Sequence, residues 1–148
     1  MRAVIQRVSR ASVTVDGQVV GKIGKGLLVF LGVGPDDTPQ KGEELCQKII
    51  NLRIFEDMQR KMNLSLPQVE GELLVVSQFT LFADTRKGNR PNFTGAAKPD
   101  HANELYRQFI EKSKVTLGPD RVSEGIFGAM MDVDLLNDGP VTICMDNG

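Results

Sequence analysis

Leu27, Leu28, Val29, Phe30 and Leu31 follow one another without a polar residue, too continuous a run for a strand with one wet face. Such a run must be covered on both sides. It predicts a central strand, and the rest of the chain has to supply its neighbours. Upstream, Ala3 to Val8 is rich in strand-forming residues, and Ala11, Val13 and Val15 alternate with Ser12 and Thr14 at the period of a half-buried strand. Asp16-Gly17 then separates that run from Val19 and Val20, a two-residue hairpin signal because Gly tolerates the positive φ such turns require. Gly24-Lys25-Gly26 marks the next turn.

After the central strand, Thr38-Pro39 reads as an N-cap with Pro at the first helical position, and Asp36 and Asp37 are placed to favour the helix dipole. The helix is predicted to continue to about Phe55, with Leu45, Ile49 and Leu52 on one stripe and Cys46 beside them as a small core residue. Arg60, Lys61, Asn63 and Pro67 fall in an irregular connection. Leu73 to Val76 predicts a second buried strand running into Ser77-Gln78-Phe79-Thr80-Leu81. Thr85 to Lys98, rich in Gly, Asn, Pro and basic residues, is a loop whose length points to function. Pro99-Asp100 opens a second helix with Ala102, Leu105, Tyr106, Phe109 and Ile110 on one face, ending near Gly118-Pro119. Two strands finish the chain, one through Met131, Val133 and Leu135, the other through Val141, Ile143 and Met145, joined by Asn137-Asp138-Gly139-Pro140 as a turn. The pattern predicts an α+β domain, residues 1–148, with two main helices around a mostly antiparallel, curled, barrel-like sheet.

Aromatic residues make up 5% of the 148 and Trp is absent, so aliphatic side chains must fill the core. Eighteen basic against nineteen acidic residues exclude a globally basic nucleic-acid coat; a polyanionic partner has to meet a local patch. Cys46 and Cys144 are far apart without a CxxC or His companion, which argues against zinc sites and disulfides and for a reducing compartment. Charge returns too soon after Met1 for a signal peptide, and Leu27 to Val33 is too short to span a membrane. A soluble, cytoplasmic protein is expected.

Conventional catalytic sets are absent. His101, the only histidine, lies in the first turn of a helix and reads as solvated, and the Gly21, Gly24, Gly26 cluster lacks the ending of a phosphate loop. Two segments stand out. Ser77-Gln78 places consecutive polar side chains at the end of an apolar strand, where they either cap the backbone or form a pocket wall facing a substrate carbonyl. Asp138-Gly139-Pro140-Val141 reads as a plain turn.

Taken together, Met1 to Val8 (MRAVIQRV), Ser77 to Leu81 (SQFTL), Asn89 to Phe93 (NRPNF) and Gly139 to Thr142 (GPVT) resemble the D-aminoacyl-tRNA deacylases, in order and spacing over the whole chain. One departure is Asn92, where that family more often has Ser. The resemblance implies a homodimer with active sites at the subunit interface and no cofactor or metal. It implies hydrolysis of the ester between a D-amino acid, or glycine, and the 3′-terminal adenosine of tRNA. Ser77, Gln78, Phe79 and Thr80 are then the catalytic pocket. Gly139-Pro140, expected cis, would reach into the partner's pocket and reject L-aminoacyl-tRNA, braced by Arg7. Arg86, Lys87 and Arg90 would supply the local patch for tRNA, or be a solvated loop. The alternative is a dimeric tRNA-binding module without hydrolysis.

Overall fold

A computed structural model describes residues 1–148. Strand β1 (Arg2–Val15) turns through Asp16 and Gly17, at φ +49° and +79°, into β2 (Gln18–Ile23), the backbone the Asp-Gly pair demands. β3 (Gly26–Gly32) is the central strand: Leu27, Val29 and Leu31 face one buried layer and Leu28 faces another. There follow α1 (Pro39–Ile50), a hairpin of β4 (Phe55–Glu56) and β5 (Met62–Leu64), β6 (Glu72–Ser77), α2 (Pro99–Leu117), β7 (Val122–Glu124) and β8 (Asp132–Asp146).

The main sheet has the order β2-β1-β3-β6-β7, with β8 paired to β1. β1 runs antiparallel to β2, β3 and β8, but β3–β6 and β6–β7 are parallel, so the sheet is mixed rather than mostly antiparallel. The connections explain it. α1 and α2 each carry the chain back along the sheet, so the strand that follows starts from the same end. Both helices cover one face, where Leu45, Ile49, Leu105 and Phe109 pack on Ile5, Val29 and Val75. The other face curls around a smaller core of Val8, Val13, Ile23, Leu28 and Leu74. The curl nearly closes into a barrel: Ser123 Oγ donates to the Lys22 carbonyl at 3.2 Å, and a Cβ on Gly21 would lie 2.5 Å from the Glu124 carbonyl oxygen.

Several local expectations change. α1 starts as predicted, with Thr38 Oγ1 accepting the Lys41 N–H at 3.3 Å. It ends at Ile50 instead of continuing to Phe55, because the Asn51 side-chain amide donates to the Gln47 carbonyl at 2.8 Å and Phe55 pairs with Leu64 in the β4–β5 hairpin. Asp37 does more than precede the helix end. It is buried, accepting from the Met1 ammonium at 2.7 Å and the Gly34 N–H at 2.6 Å. His101 is half-buried rather than solvated, with Nε2 2.9 Å from the Asp37 carbonyl oxygen. No helix is long and apolar enough to cross a membrane.

The end of the chain differs most. Residues expected as two strands joined by a turn form the single strand β8, interrupted by a bulge. Along β1 the step from Gln6 to Val8 matches the step from Thr142 to Asn137 on β8, so Asp138 to Val141 all oppose Arg7. Ser9 is then an extra residue on β1, between the pairs Val8–Asn137 and Arg10–Leu136. The one-residue shift reverses the side-chain alternation: Ala3 and Ile5 face the helices, whereas Ala11 and Val13 face the barrel interior.

Gly21→Val should weaken barrel closure, since the added carbons meet backbone that cannot retreat. The expected loss is about 1–3 kcal/mol, read as a lower urea midpoint; an unchanged midpoint would show that β2 and β7 are not in close contact.

Candidate active site

β6 is buried from Leu73 to Val76 and emerges at Ser77, so its last residue delivers a hydroxyl to the rim of the core. The Gln78 N–H pairs with the Leu31 carbonyl at 2.8 Å, fixing the chain as it leaves the sheet, and Phe79–Phe82 then form a single 3-10 turn. A cavity of about 570 Å³ opens here, of the size that holds a small-molecule group. Ser77 and Gln78 provide the polar side chains of its wall, and Phe79, Phe93, Ala97 and Ala102 provide apolar surface. The Phe79 and Phe93 rings meet edge to face at 5.3 Å. The opposite wall is Phe127 to Met131.

Thr80 is not on the cavity wall, but its Oγ1 accepts a hydrogen bond from Gln78 Nε2 at 2.5 Å. The amide thus couples the cavity wall to the threonine. No side chain that titrates near neutrality touches that hydroxyl, and His101 is not on the wall either. The N–H groups of Phe79 and Thr80 have no acceptor within the chain, as expected of the first residues of a helical turn.

Gly139 and Pro140 are exposed in the β8 bulge, joined by a cis peptide, and are not part of this cavity. Proline has no N–H to give to a ladder, so a bulge is where a strand can accommodate it. The bulge is held from beneath by Arg7, which is only 4% exposed. Arg7 Nε donates to the Asp138 carbonyl at 3.1 Å and lies 3.2 Å from the Asp138 carboxylate, while Nη1 donates to the Ile54 carbonyl at 2.6 Å. Asn137 closes the neck, its Nδ2 donating to the Arg7 carbonyl at 2.9 Å and the Val141 carbonyl at 3.1 Å. Within one chain, Ser77, Gln78 and Phe79 are together at the cavity and Arg7 is together with Asp138 to Pro140. The chain does not bring the two groups to one place.

Arg86, Lys87 and Arg90 are exposed on a loop closed by the backbone pair Asp84–Asn92. Arg86 grips Asp84 with two nitrogens at 2.9 and 2.7 Å, which holds the Asp84 carboxyl below its ordinary range and neutralises part of the patch. Lys87 and Arg90 make no ion pair.

Sequence reasoning missed the Phe127 to Met131 wall, because an apolar stretch punctuated by glycine reads as core or connection. It missed Asn137 too, because a turn composition already accounted for an Asn before Asp-Gly.

The architecture is found in other solved structures. One described as a c-Myc DNA unwinding element binding protein overlays with a TM-score of 0.95 at 44% identity, covering 100% of this chain and 99% of that one. A probable eukaryotic D-amino acid tRNA deacylase overlays with a TM-score of 0.87, covering 97% of each chain, and at 21% identity this is a likeness of fold alone. Residues 4–146 match the family model described as D-Tyr-tRNA(Tyr) deacylase. A protein of Halothermothrix orenii named D-aminoacyl-tRNA deacylase is 58% identical over 99% of this chain and 97% of its own length. One of Syntrophobacter fumaroxidans with the same name is 56% identical over the same shares. The chain therefore belongs to the D-Tyr-tRNA(Tyr) deacylase family, whose members are hydrolases of D-aminoacyl-tRNA.

Arg7→Met keeps the apolar stem and leaves the buried Ile54 carbonyl and the partly buried Asp138 carbonyl without their donor. We expect a loss of about 2–3 kcal/mol in urea unfolding and faster amide exchange around residues 137–141. Unchanged exchange there would mean that Arg7 does not hold the bulge.

Proposed function

We propose that the chain works as a cytoplasmic homodimer that hydrolyses the ester between a D-amino acid, or glycine, and the 3′-terminal adenosine of tRNA. The observation that carries this reading is the junction of β6 with its 3-10 turn, where Ser77, Gln78 and an unpaired Phe79 N–H meet an otherwise apolar cavity.

An aminoacyl ester already has a fair leaving group. The site then has to orient water and stabilise the charge that develops on the carbonyl oxygen. The Phe79 N–H is the donor for that oxyanion. The water oxygen bonds to the carbonyl carbon, the ester C–O bond breaks, and the proton passes to the departing 3′-oxygen. Thr80 positions the reacting groups through its bond to Gln78 rather than acting as nucleophile, since no base adjoins it. The adenosine 2′-OH of the substrate assists in activating water.

The chirality filter is the backbone of Gly139 and Pro140, supplied to each pocket by the other subunit. Their carbonyls crowd the side of the α-carbon on which an L side chain projects, so rejection needs no side-chain pocket and glycine passes. A Cβ at Gly139 would come within 2.3 Å of the Val141 nitrogen, which supports a need for bare backbone at that point. Lys87 and Arg90, with Arg86 beside Asp84, meet the phosphates of the acceptor end.

Incubating the protein with D-Tyr-tRNA and L-Tyr-tRNA tests this directly: release of D-Tyr with L-Tyr-tRNA spared is expected. Binding of tRNA without release of either amino acid would leave a non-hydrolytic RNA-binding module. Thr80→Ala should slow D-Tyr release by about tenfold to a hundredfold without abolishing it. Complete loss, together with a trapped acyl-enzyme on the unaltered protein, would make Thr80 the nucleophile.

A further inference from the structure

Nine cations make no ion pair; Lys22, Lys25 and Lys48 stand apart, Lys87, Arg90 and Lys98 lie between Asp84 and α2, and Arg53, Arg60 and Lys61 lie in or just before the β4–β5 hairpin. This hairpin is built to hold its tip still. The Asp57 carboxylate accepts the Gln59 N–H at 2.8 Å, the Lys61 N–H at 3.1 Å and Asn63 Nδ2 at 3.3 Å, so it fixes the turn and forms no ion pair with Arg60 or Lys61. Arg53 Nε donates to the Asn63 carbonyl at 2.8 Å and closes the base. Met58 is fully exposed and Met62 largely so, giving the tip apolar as well as cationic surface.

The hairpin is also physically joined to the bulge that carries Gly139 and Pro140. The same Arg7 guanidinium that holds the Asp138 carbonyl holds the carbonyl of Ile54, the residue immediately before β4. The foot of the hairpin therefore lies beside the bulge.

We propose that the tip of the β4–β5 hairpin, through Arg60 and Lys61, is a second contact for the sugar-phosphate backbone of the tRNA acceptor end. It would act next to the pocket that Gly139 and Pro140 of the same subunit complete. The inference rests on the dimeric reading above. The substrate is then gripped from two sides, by Arg86 to Arg90 of the subunit that owns the pocket and by the hairpin of the subunit that supplies the wall. The partner chemistry is a polyanion: two exposed cations on a rigid turn add electrostatic attraction that falls with salt.

The test compares D-Tyr-tRNA with the short ester D-tyrosyl-adenosine, which lacks the acceptor stem, for the unaltered protein and the double variant Arg60→Ala, Lys61→Ala. The ratio of kcat/KM for tRNA to that for the short ester should fall roughly tenfold at moderate salt in the double variant, and the salt slope for tRNA should flatten by between one and two. An unchanged ratio and slope, or an equal fall on both substrates, would overturn the proposal. If the unaltered protein hydrolyses neither substrate, the deacylase reading fails. Anisotropy of labelled uncharged tRNA then decides the hairpin separately: weaker, less salt-dependent binding by the double variant supports the contact, and identical binding overturns it.

Discussion

A β-strand has two hydrogen-bonding edges, and β1 uses both along nearly its whole length. Residues Arg2 to Val8 lie between β3 and β8, and Ala11 to Thr14 lie between β2 and β8. The exchange of β3 for β2 has to happen somewhere, and it happens around Ser9, where β1 gains a residue relative to β8. Beside the exchange, β8 carries surplus residues outward as the bulge of Asp138 to Val141. Arg7, facing the bulge, is the side chain long enough to reach both Asp138 and Ile54 from a buried root.

The parallel half of the sheet makes the cavity by a different route. β6 is flanked by β3 and β7 in parallel, and Leu73 to Val76 are buried, so the strand has no polar face to show until its end. Ser77 and Gln78 are the first residues free to present polar atoms. The 3-10 turn that follows leaves two N–H groups unpaired because no carbonyl lies one turn before its start to accept them. A polar strand end, unpaired donors and an apolar hollow are what a reaction that relies on oriented water and oxyanion stabilisation requires.

Much of this was legible in the sequence, for identifiable reasons. The unbroken run at Leu27 to Leu31 required burial on both faces, and the two cores on either side of β3 supply it. Asp16-Gly17, Thr38-Pro39 and Pro99 with Gly118 are local devices whose geometry is set by their own atoms, and each marks an element boundary where it was expected. What failed depended on distant partners. Phe55 belongs to a hairpin because of Leu64, and the burial of Asp37 was hidden because its partner Met1 is 36 residues away. The parallel pairing of β3 with β6 depends on which end of the sheet a helix returns the chain to, and Asn137 to Pro140 form a bulge because β1 continues past them. Ser77 and Gln78 stood out because polarity at the end of an apolar strand is itself a local anomaly. The wall from Phe127 to Met131 carried no such contrast.

The wall that excludes L-amino acids is proposed to come from the subunit that does not own the pocket. Mixed dimers test it. One subunit carries Ser77→Ala, Gln78→Ala and Thr80→Ala with an intact bulge. The other carries Gly139→Ala, whose added carbon cannot fit beside the Val141 nitrogen, with an intact pocket. The Gly139→Ala homodimer should have lost its preference for D-Tyr-tRNA over L-Tyr-tRNA. In the mixed dimer the only intact pocket faces the only intact bulge, so the preference should return to that of the unaltered protein. If the mixed dimer discriminates no better than the Gly139→Ala homodimer, pocket and wall belong to the same chain and the claim is wrong.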